Sequence, residues 1–245
     1  MILEAISLGP LAADILDRAG EAEARSDQPT GCVVARFDHS AYVEFHRDLL
    51  CIVDPSLYDG AINIMCRRLP RRGDRIRLDR RAARCWRPRP LPAPARIRAR
   101  LDELRQRVVD ASPLADPLGL LGRGDGLTPE GDDVVCGMML ALRAVGISFE
   151  ADRLLAAARE RTHAISLAHL RAAASGLAAA PVHEALAALV DADNHEPERA
   201  FAGLARVGHT SGASVLSGMK AALAAWAHDP DGFTAESWTG IEKTC

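Results

Sequence analysis

The sequence Gly122-Arg-Gly-Asp-Gly-Leu-Thr-Pro-Glu-Gly-Asp-Asp133 runs directly into an apolar segment, residues 134–142. Alternate glycines allow a backbone to adopt positive φ and to lie close to a ligand. Thr128 is predicted to be the N-cap of the following helix, with Pro129 as its first residue. The stretch therefore predicts a glycine loop that leads into a buried helix ending at Gly146.

A helix start of this kind is a candidate anion site, because its first N–H groups are unpaired and the helix dipole is positive there. Arg123, Gly124 and Gly126 are the loop residues predicted to contact a phosphate or carboxylate. No Lys-Ser or Lys-Thr follows the loop, and no acidic residue lies about 20 positions further on, so neither common nucleotide-binding pattern is present. The alternative is a purely structural loop whose acids complement the dipole.

A second glycine-bearing stretch, residues 208–214, precedes another helix, whose apolar stripe includes Val215 and Trp226. Two such helix starts could converge on one anionic ligand and donate hydrogen bonds from two directions. Substrate binding is therefore predicted for Arg123, Gly124, Gly126, Thr128, Gly208, Thr210 and Ser211. His209 is predicted to be a catalytic acid or base, with helix capping as the alternative.

Asp132 and Asp133 are the other candidate catalytic residues. Adjacent helical residues point about 100° apart, so one carboxylate can face a ligand while the other braces the opposite loop. Thr162 and Ser166 form a third hydroxyl-bearing helix start, for which an ordinary N-cap at Ser166 is the alternative. No metal-ligand set and no cofactor motif is present, and the one metal role left open is Mg²⁺ bridging an aspartate to a substrate phosphate.

The chain is predicted to have an α+β fold, with an antiparallel β-rich N-terminal domain over residues 1–90 and a helical domain over 95–245. A proline-rich stretch, 86–94, marks the boundary. Strands are predicted over 32–35, 41–45, 49–53, 61–65 and 75–78. Helices are predicted over 10–19, 96–110, 151–161, 166–179, 182–191 and 197–207 and in the two segments that follow the glycine loops, with the tail 228–245 irregular.

The composition argues against several classes of protein. A formal net charge of −3 leaves no basic surplus for nucleic acid, and the arginine-rich segment 67–89 is interpreted as a solvated strand and linker. The cysteines are scattered singly, which favours neither a zinc site nor a disulfide framework. No basic leader and no apolar run of about 18 residues is present, so a cytoplasmic protein without a membrane segment is expected.

Three motifs together resemble the AllH-type family: the glycine loop 122–133, Arg161-Thr162 with Ser166, and Gly208-His-Thr-Ser-Gly-Ala. The resemblance covers roughly residues 115–225. One branch of that family is a subunit of the oxamate carbamoyltransferase of anaerobic allantoin degradation, a part of purine catabolism. The resemblance implies transfer of a carbamoyl group between oxamate and phosphate, with an acyl-CoA-synthetase-like subunit and a second small subunit as partners.

Two functions are carried forward. The first is an AllH-like subunit of a carbamoyltransferase-type complex that binds a small anionic substrate at the paired glycine loops. The alternative is a non-catalytic carboxylate-binding or assembly subunit of a larger acyl- or phosphoryl-transfer enzyme. The lack of a nucleophile paired with a base in the sequence favours the alternative.

Overall fold

The computed structural model of the chain describes residues 1–22, 29–193, 197–234 and 238. It divides into unit 1, residues 1–88 with 177–180, and unit 2, residues 89–176 with 181–245. The strands lie in unit 1 and all the described helices after the first lie chiefly in unit 2, which confirms the α+β class. In the described ranges no helix is long and apolar enough to cross a membrane.

Unit 1 is built on a mixed β-sheet. Its elements are β1 (Ile2–Leu8), α1 (Pro10–Ala22), β2 (Gly31–Arg36), β3 (Ser40–Phe45), β4 (Asp48–Val53), β5 (Asn63–Cys66), β6 (Arg75–Asp79) and β7 (Arg84–Cys85). The strand order is β5-β4-β3-β2-β6-β1-β7, and β1 also pairs with β5, so six of these strands form a closed sheet. The segment 177–180 joins this unit through a bridge between Gly60 and Ala179.

The antiparallel sheet expected from the sequence is corrected in two respects. β1 pairs in parallel with β6 and β7, and β4 pairs in parallel with β5. β1 itself was not predicted, although it lies between β5 and β6 and buries Leu3 and Ala5. Turn signals show where strands end but not whether two strands run parallel, so they could not reveal this pairing.

Unit 2 is helical. Its elements are α2 (Pro94–Arg98), α3 (Leu101–Arg107), α4 (Pro117–Leu120), α5 (Glu130–Ala144), α6 (Ala151–Arg161), α7 (Ala164–Ala174), α8 (Ala180–Val190), α9 (Pro197–Gly203), a 3-10 turn (Leu204–Arg206) and α10 (Ser211–His228). α5 is buried on nearly every side, as its apolar sequence predicted. Gly146, with φ of 78°, ends it in a Schellman motif in which the N–H of Ile147 donates to Leu142.

Several predicted helix bounds are wrong. The single helix over 96–110 is two helices, because the backbone leaves the helical region at Arg100, with φ of −122° and ψ of 39°. The apolar periodicity continues across this break and does not show it. α9 ends at Gly203, short of the predicted 207, and continues as the 3-10 turn. The predicted tail lies largely outside the described residues.

Candidate functional site

The start of α5 differs from the sequence prediction. The helix begins at Glu130 with Pro129 in the N-cap position, so Thr128 is not the cap. Backbone groups cap the helix instead, since the N–H of Gly131 donates to the carbonyl of Arg123 at 2.8 Å. This frees the Thr128 hydroxyl, which lies 3.1 Å from the hydroxyl of Ser211.

The glycine loop has the backbone conformation that was predicted for it. Gly122, Gly124 and Gly126 have φ of 76°, 108° and 90°. A Cβ at Gly122 would lie 2.2 Å from the carbonyl oxygen of Arg161, so this glycine permits the loop to touch the end of α6. A Cβ at Gly126 would meet nothing within 4 Å, which leaves open space beside an exposed stretch of backbone.

Asp132 holds the glycine loop to the junction between α6 and α7. One carboxylate oxygen accepts the N–H of Gly122 at 2.8 Å, and the other accepts the hydroxyls of Thr162 and of Ser166, the latter at 2.6 Å. The residue is 1% exposed. Asp132 is therefore a buried acceptor for three donors that come from two separate parts of the chain.

Ser166 is not an N-cap, so that prediction is wrong. α7 begins two residues earlier, at Ala164, with His163 in the cap position. The Ser166 side chain faces the helix bundle, where Asp132 supplies an acceptor that the local sequence does not show.

Asp133 lies in a different environment from its neighbour. It is 6% exposed, and the hydroxyls of Ser211 and Thr128 lie close enough to its carboxyl group to act on its pKa. Its Oδ2 atom is buried and has no hydrogen-bond partner among the described residues. Burial raises the pKa of Asp133 to about 7, the charges of Asp132 and Glu130 act in the same direction, and the two hydroxyls oppose them.

Two glycines bring α5 and α10 into backbone contact. A Cβ at Gly137 would lie 2.0 Å from the carbonyl oxygen of Val215, and one at Gly218 would lie 2.0 Å from that of Val134. Only glycine allows helices to approach so closely. The contact between Gly137 and Val215 lies one turn beyond the contact between Asp133 and Ser211, so both helix starts are on the same side of the crossing.

The second glycine stretch forms the start of α10. Thr210 occupies the N-cap position without a side-chain cap, and the N–H of Gly212 donates to the carbonyl of Val207 at 3.0 Å. Gly208 has φ of 61°. His209 is exposed, and no hydrogen bond or ion pair to its side chain is found within the described ranges.

The structure thus brings together three of the predicted site residues, Thr128, Asp133 and Ser211, in direct contact. The other predicted residues of the two loops are exposed: Arg123, Gly124, Gly126, Gly208, His209 and Thr210. Sequence reasoning did not identify Gly137 and Gly218 as the residues that set the distance between α5 and α10. A glycine in the middle of each of two apolar helices was the available signal.

A Ser-His-Asp cluster in unit 1 is not a catalytic triad. The Ser56 hydroxyl lies 3.1 Å from His39 Nδ1, and an Asp54 carboxylate oxygen lies 2.9 Å from the same nitrogen. A triad histidine contacts its serine and its aspartate through different ring nitrogens. Among the described residues, no group of three or more His, Cys, Asp or Glu side chains is arranged to hold a metal ion.

Residues 120–223 match the model of a family described as oxamate carbamoyltransferase subunit AllH. The resemblance to the AllH family is confirmed. The matched range contains the glycine loop, the hydrogen bonds accepted by Asp132, and the contact between Asp133 and Ser211. It also contains the crossing of α5 with α10. No curated protein and no solved structure matches the chain at a significant level.

Proposed function

We propose that the chain is an AllH-like subunit of a carbamoyltransferase-type complex and binds a small anionic substrate where α5 and α10 begin. The family match over 120–223 supports the class of complex. The observation that carries the site is Asp133, a buried carboxyl group with one unpartnered oxygen, in contact with hydroxyls from both helix starts. Buried polar groups without partners are rare and point to function.

The electrostatics of the two helix starts favour an anion. Adjacent N-termini place two positive dipole ends side by side, which repel one another unless negative charge lies between them. The first turn of α5 contains Glu130, Asp132 and Asp133, whereas the first turn of α10 contains no acidic residue. A bound anion would complement the start of α10.

The chemistry of carbamoyl transfer fits such a site. Oxamate, oxalurate, phosphate and carbamoyl phosphate are all anions, and attack on the carbamoyl carbon places negative charge on its oxygen. In this proposal the exposed loop residues Arg123, Gly124, Gly126, Gly208 and Thr210 contact the substrate with Thr128 and Ser211. His209 and Asp133 exchange protons with it.

Asp132 is assigned a positioning role in this proposal rather than a catalytic one. Both of its oxygens are engaged by donors, so it holds the glycine loop in place. The proposed partners are an acyl-CoA-synthetase-like subunit and a second small subunit. Any Mg²⁺ would arrive bound to a substrate phosphate, since the described residues offer no cluster of three metal ligands.

Thermal unfolding with added oxamate, oxalurate, carbamoyl phosphate or phosphate tests the site. A ligand at about 100 times its Kd adds about 2.7 kcal/mol to the free energy of unfolding. For a chain of this size that corresponds to a rise in Tm of about 5–10 °C. We expect oxamate or carbamoyl phosphate to produce the largest shift.

The matched variants are Ser211→Ala at the site and Ser175→Ala as the control, because Ser175 is an exposed serine at the end of α7. We expect the first to reduce the shift and the second to leave it unchanged. An unchanged shift in a Thr128→Val, Ser211→Ala double variant would place the ligand elsewhere. The absence of a shift with every anion would contradict binding by this chain.

A second candidate function is a non-catalytic subunit that binds a carboxylate and assembles with a larger enzyme. It is favoured by the residues around Asp133, where the described side chains include two hydroxyls but no histidine or lysine that could activate them. Reconstitution with the partner subunits distinguishes the two functions. A catalytic role predicts that His209→Ala lowers turnover at saturating substrate, whereas an assembly role predicts unchanged turnover.

A further inference from the structure

Asp133 lies on the face of α5 that packs against α10. Residues four apart share a face of a helix, so Asp133 shares a face with Gly137, where an added Cβ would lie 2.0 Å from the carbonyl oxygen of Val215. Ser211 lies four residues before Val215 on α10, and its hydroxyl is 3.1 Å from that of Thr128, which precedes α5. The two helices therefore run side by side in the same direction, and the carboxyl group of Asp133 lies where both begin.

One oxygen of this carboxyl group lacks a hydrogen-bond donor in the described part of the chain. Oδ2 of Asp133 is buried without a partner there, and the whole residue is 6% exposed. The neighbouring Asp132 is also buried, but the fold supplies three donors to its two oxygens. A buried acceptor without a donor is costly, so Oδ2 of Asp133 still requires a donor that Asp132 does not.

Donors at the start of α5 are engaged by other acceptors. The N–H of Gly131 donates to the carbonyl of Arg123. The N–H groups of Asp132 and Asp133 both donate to the carbonyl of Pro129. The start of α10 has a different character, because no acidic residue lies in its first turn to complement the dipole. A ligand that fits both features donates a hydrogen bond at one end and is negatively charged at the other.

Oxamate is such a ligand, since its amide nitrogen carries two N–H groups and its other end is a carboxylate. We propose that Oδ2 of Asp133 accepts a hydrogen bond from the amide group of the substrate, while the substrate carboxylate lies at the start of α10. This inference rests on the proposed function, since it concerns the same site. It assigns Asp133 a further task, which is to select an amide over other groups of similar size.

Two analogues of oxamate isolate this contact. Pyruvate has a methyl group, and oxalate has a carboxylate oxygen, in the place of the amide nitrogen, and the rest of each molecule is the same. The methyl group would leave Oδ2 without a donor, and the carboxylate oxygen would bring a second acceptor against it. A site with a buried acceptor rejects ligands that cannot pair it, so both analogues should bind more weakly than oxamate.

Calorimetric titration of the full chain with each of the three ligands tests the inference. The titrations are made at about pH 8, above the pKa of about 7 that burial gives Asp133, so that both of its carboxyl oxygens are acceptors. We expect the Kd of pyruvate and the Kd of oxalate to exceed that of oxamate by about 10- to 100-fold, as for the loss of a hydrogen bond to a charged group.

Asp133→Leu identifies the residue responsible, because leucine is close to aspartate in shape and offers no acceptor. We expect the ratio of the pyruvate Kd to the oxamate Kd to fall to about 1 in this variant. Pyruvate and oxamate carry the same charge, so the general effect of removing a negative residue cancels in the ratio. Asp152→Leu is the matched control, since Asp152 is an exposed acid in the first turn of α6, and it should keep the wild-type ratio.

The outcomes separate this inference from the proposed function. A wild-type chain that binds pyruvate or oxalate as tightly as oxamate would overturn the inference and leave the proposed function standing. A wild-type ratio that persists in Asp133→Leu would also overturn it, and Asp133→Ala gives the same test if the leucine variant does not fold. No binding of any of the three ligands would overturn both.

Discussion

The crossing of α5 and α10 predicts that Gly137→Ala destabilises the chain and weakens the anion site together. The added Cβ would lie 2.0 Å from the carbonyl oxygen of Val215, whereas ordinary contacts begin at 3.4 Å. Relief therefore requires the helices to separate by about 1.4 Å at this point. Both sides of the contact are helix backbone, so no side chain can rotate away.

The size of the effect follows from two opposing contributions. Overpacking of a close contact costs about 1–3 kcal/mol, and a backbone contact between two buried helices belongs at the upper end. Replacing glycine by alanine inside a helix gains up to about 1 kcal/mol. The expected net loss is about 2 kcal/mol of unfolding free energy, or a fall in Tm of about 4–8 °C.

Guanidinium chloride denaturation measures this loss, and Gly203→Ala is the matched control. Gly203 ends α9 with a helical backbone, at φ of −60°, and a Cβ there would meet nothing within 4 Å. Its substitution should leave stability unchanged or raise it by about 0.5 kcal/mol. A midpoint change at constant m-value shows that the folded state itself is affected.

The same variant should lower oxamate affinity, because separating the helices near Gly137 moves Ser211 away from Asp133 one turn earlier. Two results would refute the reasoning. The first is a Gly137→Ala chain as stable as the wild type. The second is a destabilised chain that still binds oxamate with unchanged affinity, which would show that the contact of α5 with α10 does not position the site.

Three other predictions concern single side chains of unit 2. Asp132→Ala should lower the free energy of unfolding by about 3–5 kcal/mol, measured by chemical denaturation, because it leaves one N–H and two hydroxyls without their acceptor. Asp133→Asn should gain stability relative to the wild type by up to about 4 kcal/mol as pH rises from about 4 to 7. Between about pH 4 and pH 7 the folded wild type holds a proton on Asp133 that the unfolded chain has lost, so the stability of the wild type falls as pH rises. A difference in unfolding free energy between variant and wild type that stays constant over this range would contradict the prediction. Burial lowers the pKa of His183 to about 4 and acts in the opposite direction, which is why the difference between variant and wild type is measured. His209→Ala should change the free energy of unfolding by less than about 0.5 kcal/mol, since its side chain is exposed, and a larger loss would reveal a structural role.

The helices of unit 2 were the part of the fold most accessible to sequence reasoning. α5 is apolar on nearly all sides and ends in a glycine with positive φ, and both features are encoded locally. The break at Arg100, where φ is −122° and ψ is 39°, was missed because the apolar periodicity continues across it. β1 was missed because its partners β5 and β6 come more than fifty residues later.

Part of the candidate site could also be predicted from the sequence, because that part is encoded locally. Positive φ at the loop glycines follows from composition and spacing, and the structure confirms it. The roles of the two adjacent aspartates could not be read from the sequence. They depend on which donors other helices place beside each one: three donors for Asp132, and two hydroxyls that also contact each other for Asp133.

A six-residue spacing recurs in the two helices that form the site. In α5, Gly131 packs against the carbonyl of Leu120, and Gly137 packs against α10. In α10, Gly212 packs against the carbonyl of Leu204, and Gly218 packs against α5. The first glycine of each pair fixes the helix start to the short helical element before it, which is α4 for α5 and the 3-10 turn for α10, and the second fixes it to the other helix. These backbone contacts set the separation of the two helix starts, between which the hydroxyls of Thr128 and Ser211 and the carboxyl group of Asp133 lie.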